Sequence, residues 1–393
     1  MEKKIYLDSA NSTYLNNEVL TEMMPVLSNS YALAGDLYDS ARVSKEYVLK
    51  SRRRIAKAIG SRSHEVYFAL NTNQANFWAI IGLARANRYK GNHIIVSKIE
   101  DEAILSACRV LENEGFKVSY IPVDSNGMVM LNHLMHEIKN TTILVSVSFA
   151  NGIVGTIQNV NAIARTVKER DIIFHCDASH AFGLININVR DLNIDAMTIS
   201  SKNIQGPFGV SALYVKDGIE IENITGDGDQ DFDHGQNIEN IAGVVGFGKA
   251  VELASQNIMF NVHKLKQIRD YFTKQVQEKI PFVHIVGHKQ QRLSNIVSLA
   301  FEFIDSKALC MLLDREGIEA FATSNCMNKN LKYNAVLSAM NIDKELMKTV
   351  VRFSFAKNIT KEDVDYAVEK IEKCVKILRD ISPLHISTVK EVI

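Results

Sequence analysis

An aspartate at the end of an apolar segment is the most suggestive single residue in this 393-residue sequence. Asp177 lies in IIFHCDASHAFG, where it follows a predicted strand and precedes a turn of small residues. Ligands of open α/β sheets bind at such carboxyl ends of strands. A carboxylate there could hold the protonated nitrogen of a pyridine cofactor such as pyridoxal 5′-phosphate (PLP), which acts as an electron sink. The residue types alone leave a second interpretation open, in which Asp177 caps the following segment.

A cluster of acidic residues occupies positions 226–237, in GDGDQDFDHGQN. Its aspartates alternate at Asp227, Asp229, Asp231 and Asp233. The alternation suggests a calcium-binding loop, but neither register supplies both the central glycine and the terminal glutamate of that motif. We therefore predict a solvated acidic loop and no metal site, with cation or partner binding as the alternative.

The cysteines give no framework of their own, because they are scattered, odd in number and without CxxC spacing. Neither a disulfide scaffold nor a zinc site is indicated. Each thiol must be judged in its local context. By its residues alone, Cys326 in ATSNCMN is better interpreted as an exposed bystander than as a reactive loop thiol.

The elements that must position these residues alternate between positions 66 and 215. Short apolar runs are separated by helical patterns, which predicts crossover units and a largely parallel sheet with helices on both faces. The segment 102–115 is one such helix, with a closing glycine. The predicted strands are VYF at 66, HIIV at 93, VSYI at 118, TILVSV at 142, DIIFHC at 171 and DAMTIS at 195.

A second region, from about residue 256, has a different order of predicted helices and strands. A helical pattern at 261–279 leads to predicted strands in NIVSLAF at 295 and VVRFSF at 350, and Thr360 with Asp363 approximates the capping box of a final helix. We predict a large α/β domain over 15–255 and a smaller α+β domain over 256–393, with 1–14 packing near the smaller one.

Composition excludes several classes of partner. Lys plus Arg and Asp plus Glu both number 45, so electrostatics gives no case for binding nucleic acid or an anionic membrane. No apolar stretch approaches the roughly 20 residues of a membrane span, and the start MEKKIYLDS lacks a signal-peptide core. We predict a cytoplasmic protein with a small-molecule or protein partner.

Taken together, the motifs make this sequence resemble the cysteine desulfurases (the NifS and IscS-like group of class V aminotransferases), nearly end to end. The resemblance implies the fold-type I scaffold, PLP as cofactor, an amino acid substrate, and a homodimer with a site shared between subunits. The motifs are YLDSANST at 6, EVYFALNTNQAN at 65, HIIVSKIEDEAIL at 93, ILVSVSFANGIVGTIQ at 143, FHCDASHAFG at 174, GPFGVSALYV at 206, VRFSFAKNITKEDVDYAVE at 351 and ILRDISPL at 377.

Five positions match functional residues of the resembled family. The resemblance implies that Asp177 faces the pyridine nitrogen, that Asn151 reaches the ring hydroxyl, and that Ser200 lies near the phosphate. Arg352 matches the arginine that binds the substrate carboxylate, a role suited to a planar bidentate donor. Cys326 matches the mobile-loop cysteine that attacks the substrate sulfur and carries the persulfide.

The lysine that should attach PLP is missing. In the resembled family it stands three residues before the glycine of the GP pair, whereas SSKNIQGP places Asn203 there. An amide cannot form an imine, and its loss also removes the base that moves the Cα proton. Lys202 precedes it, and a one-residue bulge would be needed to bring that amine into the pocket.

Other positions that should surround the cofactor also differ. Asp101 replaces a ring-stacking histidine, and it offers no π-face. Thr72 and Asn73 stand in the phosphate turn at a helix N-terminus, where bulkier side chains crowd the amides, although each could still donate one hydrogen bond. His180 replaces a glutamine beside the cofactor. The acidic segment 226–237 replaces a basic, glycine-rich phosphate loop and would repel a dianion.

Two functions follow as hypotheses, and a third possibility, noncovalent use of PLP or another ligand, would keep a role for Asp177 without the lysine. The first is a desulfurase homologue with a degenerate PLP site, catalytically impaired or altered, that acts as a binding or regulatory protein, as a homodimer or beside an active paralogue. The second is an active PLP-dependent cysteine desulfurase that uses Lys202 for attachment and Cys326 as persulfide carrier for a sulfur-acceptor protein. The changes in four separate motifs favour the first.

Overall fold

The computed structural model describes residues 4–29, 32–224, 238–256, 258–324 and 334–383. The strands are β1 (Ile5–Tyr6), β2 (Val66–Ala69), β3 (His93–Ser97), β4 (Lys117–Ile121), β5 (Thr142–Ser146), β6 (Ile173–Asp177), β7 (Ala196–Ser200), β8 (Ser211–Val215), β9 (Val283–Val286), β10 (Ile296–Phe301), β11 (Ile318–Glu319), β12 (Phe321–Ala322) and β13 (Val350–Ser354). The helices are α1 (Asn17–Asn29), α2 (Asp39–Ile59), α3 (Thr72–Ala86), α4 (Glu102–Asn113), α5 (Leu131–Glu137), α6 (Val160–Lys168), α7 (Ile241–Gln256), α8 (Ile258–Lys279), α9 (Ser306–Arg315), α10 (Ala335–Ala339), α11 (Lys344–Met347) and α12 (Lys361–Asp380).

The larger sheet of the described residues has seven strands in the order β2-β8-β7-β6-β5-β3-β4. The pairs among β7, β6, β5, β3 and β4 are parallel, whereas β8 runs antiparallel to both of its neighbours. The predicted largely parallel sheet is therefore confirmed, and each of the six apolar runs predicted as strands overlaps one of β2 to β7.

Helices pack on both faces of this sheet because its strands are apolar on both sides. Along β3, Ile95 packs in one core cluster with Ile55 of α2. Its neighbours Ile94 and Val96 point the other way and pack with Trp78 of α3. Successive side chains of a strand alternate between faces, so β3 contributes to two separate cores. The α/β architecture predicted from the sequence is confirmed.

The smaller sheet is antiparallel, in the order β12-β13-β10-β9. Its core joins Phe353 of β13 to Phe272 of α8, whose ring centroids lie 4.9 Å apart. The N-terminal Ile5 and Leu7 are buried in the same core, and β1 pairs in parallel with β11. Thr360 and Asp363 form the predicted capping box at the start of α12.

Candidate functional site

A cavity of about 270 Å³ opens where three parallel strands end. Its walls include residues that follow β3, β5 and β6, together with Arg352 from β13. The carboxyl ends of neighbouring parallel strands meet at one edge of a sheet, which is where open α/β folds bind ligands. The cavity therefore lies at the position that the sheet topology favours for a ligand.

Asp177 is the last residue of β6 and is 5 % exposed. Its Oδ2 accepts a hydrogen bond of 2.8 Å from Asn76 Nδ2 on α3, and its Oδ1 accepts one of 2.8 Å from the Ser179 amide. Burial, and then the charge of Asp101, raise the pKa of Asp177 to about 6. The bond to Ser179 is the capping contact of the second interpretation, yet the carboxyl also lines the cavity. The structure thus contains the capping contact of Asp177 and also places its carboxyl at the cavity, where a ligand could reach it.

Glu100 is a second buried carboxyl in the cavity wall, 5 % exposed. It accepts hydrogen bonds from Ser148, at 3.0 Å from the amide and 2.5 Å from Oγ. These bonds favour the ionised form, but burial outweighs them and, with the charge of Asp177, raises the pKa of Glu100 to about 8. Glu100 is therefore largely protonated at neutral pH in the ligand-free protein.

Asp101 begins α4 as its N-cap, with Oδ1 accepting a hydrogen bond of 2.8 Å from the Ala103 amide. Its side chain is exposed to solvent at the cavity wall. The surrounding protein still raises the pKa of Asp101 by desolvation, with a further contribution from the charge of Glu102. The cavity carries a carboxyl here in place of an aromatic ring.

Arg352 is 4 % exposed and binds two groups of the protein itself. One guanidinium nitrogen lies 2.5 Å from Asp8 Oδ1, and the other donates to the Gly152 carbonyl at 2.8 Å. The guanidinium also stacks over the Phe321 ring, 4.2 Å from the centroid. Its Nε is buried without a hydrogen-bond partner among the described residues. Arg352 is thus held rigidly in the cavity wall and keeps a spare donor.

Asn151 also lines the cavity and is 5 % exposed. Its Oδ1 accepts from the amides of Ile153 at 2.9 Å and Val154 at 3.1 Å, and its Nδ2 donates to the Ile99 carbonyl at 3.1 Å. A carboxamide nitrogen has two N–H donors. Asn151 therefore fixes the loop after β5 and still has donor capacity for a ligand.

His180 packs directly against Gly152, where an added Cβ would lie 2.3 Å from its Nε2. Burial, reinforced by the charges of Arg352 and Lys202, lowers the pKa of His180 to about 3. The imidazole is therefore neutral at physiological pH. Its Nδ1 lies 3.5 Å from Asn203 Nδ2, which connects the cavity to the turn after β7.

That turn carries the residues at the expected attachment position. Ser200 is 1 % exposed, and its Oγ donates to Asn203 Oδ1 at 3.0 Å. Asn203 Nδ2 donates to the Ala10 carbonyl at 3.0 Å, and Thr13 donates to the Lys202 carbonyl through its amide at 2.9 Å and its Oγ1 at 2.7 Å. The N-terminal segment therefore ties down the turn, and the Asn203 amide bonds to the protein at both of its ends.

Lys202 is half-buried. Desolvation lowers the pKa of Lys202, against the opposing charge of Asp101 and with the like charge of Arg352. Since Asp101 and Arg352 both line the cavity, the Lys202 ammonium is electrostatically coupled to the cavity although the residue does not line it.

The N-terminus of α3 is capped by Asn71, whose Oδ1 accepts from the Gln74 amide at 2.9 Å. Gln74 Oε1 in turn accepts from the Leu70 amide at 2.7 Å. Thr72 and Asn73 come first in the helix, where an amide has no intrahelical acceptor. These two amides can hold an anion.

Two predictions concern residues outside those that the structure describes. Cys326 lies in 325–333, and the acidic segment 226–237 lies in 225–237. The loop-thiol and acidic-loop assignments therefore stay predictions.

Sequence reasoning missed Asn76, Glu100 and Asp8, although all three lie within the motifs that carry the family resemblance. Asn76 and Asp177 are 101 positions apart, and Asp8 and Arg352 are 344 apart. Glu100 lies just beyond the carboxyl end of β3, as Asp177 lies at the end of β6, and that signal could have identified it.

The residues around the cavity fit PLP at the ring end. Asp177 offers a buried carboxyl that is costly to ionise alone, which suits a protonated ring nitrogen as partner. The amide oxygen of Asn76 beside it is buried without a hydrogen-bond partner among the described residues. Asn151 has a donor for a ring substituent, and the α3 N-terminus has amides for a phosphate.

Comparison with known proteins agrees with the family resemblance of the sequence motifs. The family model described as Aminotransferase class-V matches residues 5–367. "Cysteine desulfurase IscS" of Clostridium botulinum (strain Hall) is 39% identical over 386 residues, covering 98% of this chain and 97% of the relative. A solved "NifS-like protein" superimposes with a TM-score of 0.88 at 28% identity, over 95% of this chain and 100% of that one. The solved "SspA in complex with cysteine" gives 0.78 at 26% identity, over 90% and 99%.

The predicted fold-type I scaffold and the expectation of PLP as family cofactor are confirmed by these matches. Among the described residues, no helix combines the length and apolar character needed to cross a membrane. The chain belongs to the aminotransferase class-V family, as a homologue of the PLP-dependent cysteine desulfurases.

Proposed function

We propose that this chain is a cysteine desulfurase homologue with a degenerate PLP site, which binds PLP and an amino acid without the covalent turnover of its relatives. The observation that supports this proposal is the presence and fixed position of Asn203 where the relatives' lysine is expected. Its amide accepts from Ser200 Oγ and donates to the Ala10 carbonyl, at 3.0 Å each. A side chain held at both ends and without an amine supplies neither an attachment point nor a base.

PLP, when bound, supplies an electron sink for bonds at the Cα of an amino acid. Asp177 would keep the proton on the ring nitrogen, because its buried carboxylate gains from an opposite charge. Asn151 would donate to the ring, and the amides of Thr72 and Asn73 would hold the phosphate. The chain therefore supplies the groups that the proposal needs to bind and orient PLP.

Arg352 would bind the carboxylate of the amino acid. A guanidinium suits this role because its planar fork makes charge-assisted bonds to carboxylates. Its Nε has no hydrogen-bond partner among the described residues, whereas the other two nitrogens contact Asp8 and Gly152. The solved SspA protein is in complex with cysteine, and we propose the same amino acid as the ligand here.

A specific observation favours a second candidate, the active desulfurase that uses Lys202. The depressed pKa of Lys202 enlarges its neutral fraction, and its charge is coupled to Asp101 and Arg352 at the cavity. A neutral amine is the form that attacks a carbonyl. In this alternative Cys326 takes the substrate sulfur and passes it to an acceptor protein. In either case the protein works as a homodimer or beside a paralogue.

The decisive experiment is to record absorption spectra of the purified protein with PLP, before and after borohydride, and to map modified peptides by mass. We expect PLP to bind and to be lost on dialysis, with no borohydride-fixed adduct on Lys202 and no alanine from cysteine. Lys202→Ala is the matched control and should leave PLP binding intact. An adduct on Lys202 that disappears in that variant, together with alanine release, would establish the second candidate.

Amino acid binding needs a separate measurement, by calorimetry with L-cysteine in the presence of PLP. Arg352→Gln should weaken the affinity by about tenfold or more, since it removes a charge-assisted contact. Arg170→Gln, at an exposed position, is the control and should have no effect. Equal affinities in all three proteins would refute the assignment of Arg352.

A further inference from the structure

A second cleft, of about 320 Å³, shares no lining residue with the first cavity. Its walls come from the loops after β5 and β6, from the first half of α8, and from the segment between β9 and β10. Clefts where separately packed parts of a chain meet are common ligand sites. This cleft has no role in the function proposed above.

Among the described residues, every charged side chain that lines this cleft is cationic. They are Lys266, which is exposed, and Arg269 and Arg292, which are 4 % and 6 % exposed. Arg269 has a counter-ion, because Asp270 Oδ1 accepts from its Nη2 at 2.6 Å. One carboxylate thus faces three cations, and the cleft carries an excess of positive charge.

Arg292 donates its side-chain hydrogen bonds to uncharged backbone groups. Its Nε donates to the His288 carbonyl at 2.7 Å and its Nη2 to the Val286 carbonyl at 3.3 Å. Burial, followed by the charge of Arg269, lowers the pKa of Arg292 to about 10. The charge of Asp270 opposes this shift, but among the described residues Arg292 forms no salt bridge. Burying a charge without such a partner is costly, and a bound anion would relieve that cost.

The remaining lining combines the polar Asn186 and Gln290 and a buried hydroxyl with an apolar wall. Ser294 is 7 % exposed, and its hydroxyl has no hydrogen-bond partner among the described residues. Leu184 and Ile185 are half-buried along the cleft, and Met259 is 77 % exposed at its edge. The cationic and apolar parts of the lining therefore suit different parts of one ligand.

We propose that this cleft binds a small organic anion with an apolar body. The anionic head contacts Arg292, Arg269 and Lys266, and the body lies on the wall formed by Leu184 and Ile185. The volume lies near the lower end of the roughly 300–1,000 Å³ of known small-molecule pockets, which limits the ligand to a compact molecule. Binding here links two parts of the chain and is independent of PLP chemistry.

The test is calorimetry of the full chain with octanoate as probe. Octan-1-ol tests the need for charge, and inorganic phosphate tests the need for an apolar body; both should bind at least about tenfold more weakly than octanoate. Lys266→Glu should weaken octanoate binding by about tenfold or more, because it replaces an attraction with a repulsion. Arg292→Met should have a larger effect. If Arg292→Met does not fold, the result for Lys266→Glu decides.

Two controls locate the site. Lys274→Glu reverses an exposed charge on the same helix, where Lys274 is outside the cleft, and should leave octanoate affinity unchanged. Arg352→Gln should also leave it unchanged. Absence of saturable octanoate binding, equal losses in Lys266→Glu and Lys274→Glu, loss in Arg352→Gln, or equally tight binding of phosphate would each overturn the proposal.

Discussion

The candidate site has two ends, the first cavity and the turn after β7, and they differ in what they retain. At one end, Asp177 and Asn151 sit buried where three parallel strands terminate, and their hydrogen bonds fix them there. At the other end, the turn with Lys202 and Asn203 is tied to the N-terminal segment by hydrogen bonds that need no lysine. In the proposed function, ligand recognition and covalent chemistry therefore depend on separate parts of the fold, and one can change without the other.

The largest expected effect comes from placing a lysine at position 203, which restores the missing amine. Asn203→Lys should attach PLP at residue 203 and raise alanine formation from cysteine by about a hundredfold or more, the typical scale of a positioned proton-transfer group. Borohydride trapping, peptide mass and alanine assays measure both effects. Asn203→Gln is the matched control, since it adds length without an amine. An inactive Asn203→Lys protein that nevertheless binds PLP would show that the attachment end is not the limiting defect.

In the absence of PLP, the free energy of unfolding should depend on pH through Glu100. Glu100 has its pKa raised from 4.5 to about 8, so the folded state favours the protonated form. Its stabilising contribution is complete below the unfolded pKa and is lost as pH rises through the folded one. Relative to Glu100→Gln, the wild-type free energy of unfolding should fall by a few kcal/mol between about pH 4.5 and 8.

Urea denaturation at several pH values measures this difference. The exposed neighbour Glu102 provides the control, because Glu102→Gln should keep the wild-type slope. Parallel pH profiles for wild type and Glu100→Gln would mean that Glu100 ionises as it does in the unfolded chain.

Ring recognition should depend on Asp177. Asp177→Asn keeps the shape but removes the charge, so PLP affinity should fall by about tenfold to a hundredfold, the range for a hydrogen bond to a charged group. Equilibrium dialysis against PLP gives the affinity. Asp195→Asn is unsuitable as a control because Lys168 bonds to Asp195 at 2.6 Å; Asp171→Asn, at an exposed turn, is suitable. Unchanged affinity in Asp177→Asn would place the ring elsewhere.

The smallest effect is expected at the contact between Gly152 and His180. Gly152→Ala places a Cβ 2.3 Å from His180 Nε2, so stability should fall by about 1 kcal/mol, the low end for an overpacked site whose neighbour can turn. Thermal unfolding measures the loss. In a His180→Ala background the same substitution should cost nothing, and a cost that persists there would show that another neighbour is responsible.

The strands β2 to β7, β10 and β13 were predicted because short apolar runs and turns are local properties, whereas β1, β8, β9, β11 and β12 were missed. The pairing of β8 between β2 and β7 was not predictable, since antiparallel insertion into a parallel sheet depends on neighbours far along the chain. At the site, Asp177 stood out by its place after a strand. Asn76 and Asp8 carry no local signature of their contacts, and only the folded chain shows that they hold Asp177 and Arg352.

The Asp8–Arg352 pair has a consequence for biosynthesis. The two residues are 344 positions apart, and chains grow at about 5–20 residues per second. Asp8 therefore exists for about 17–70 s before the ribosome adds its partner. Once residue 215 has been added, the nascent chain contains all strands of the larger sheet but not yet the Arg352 guanidinium. The carboxylate binding proposed for Arg352 therefore becomes available only late in synthesis, whatever has folded before.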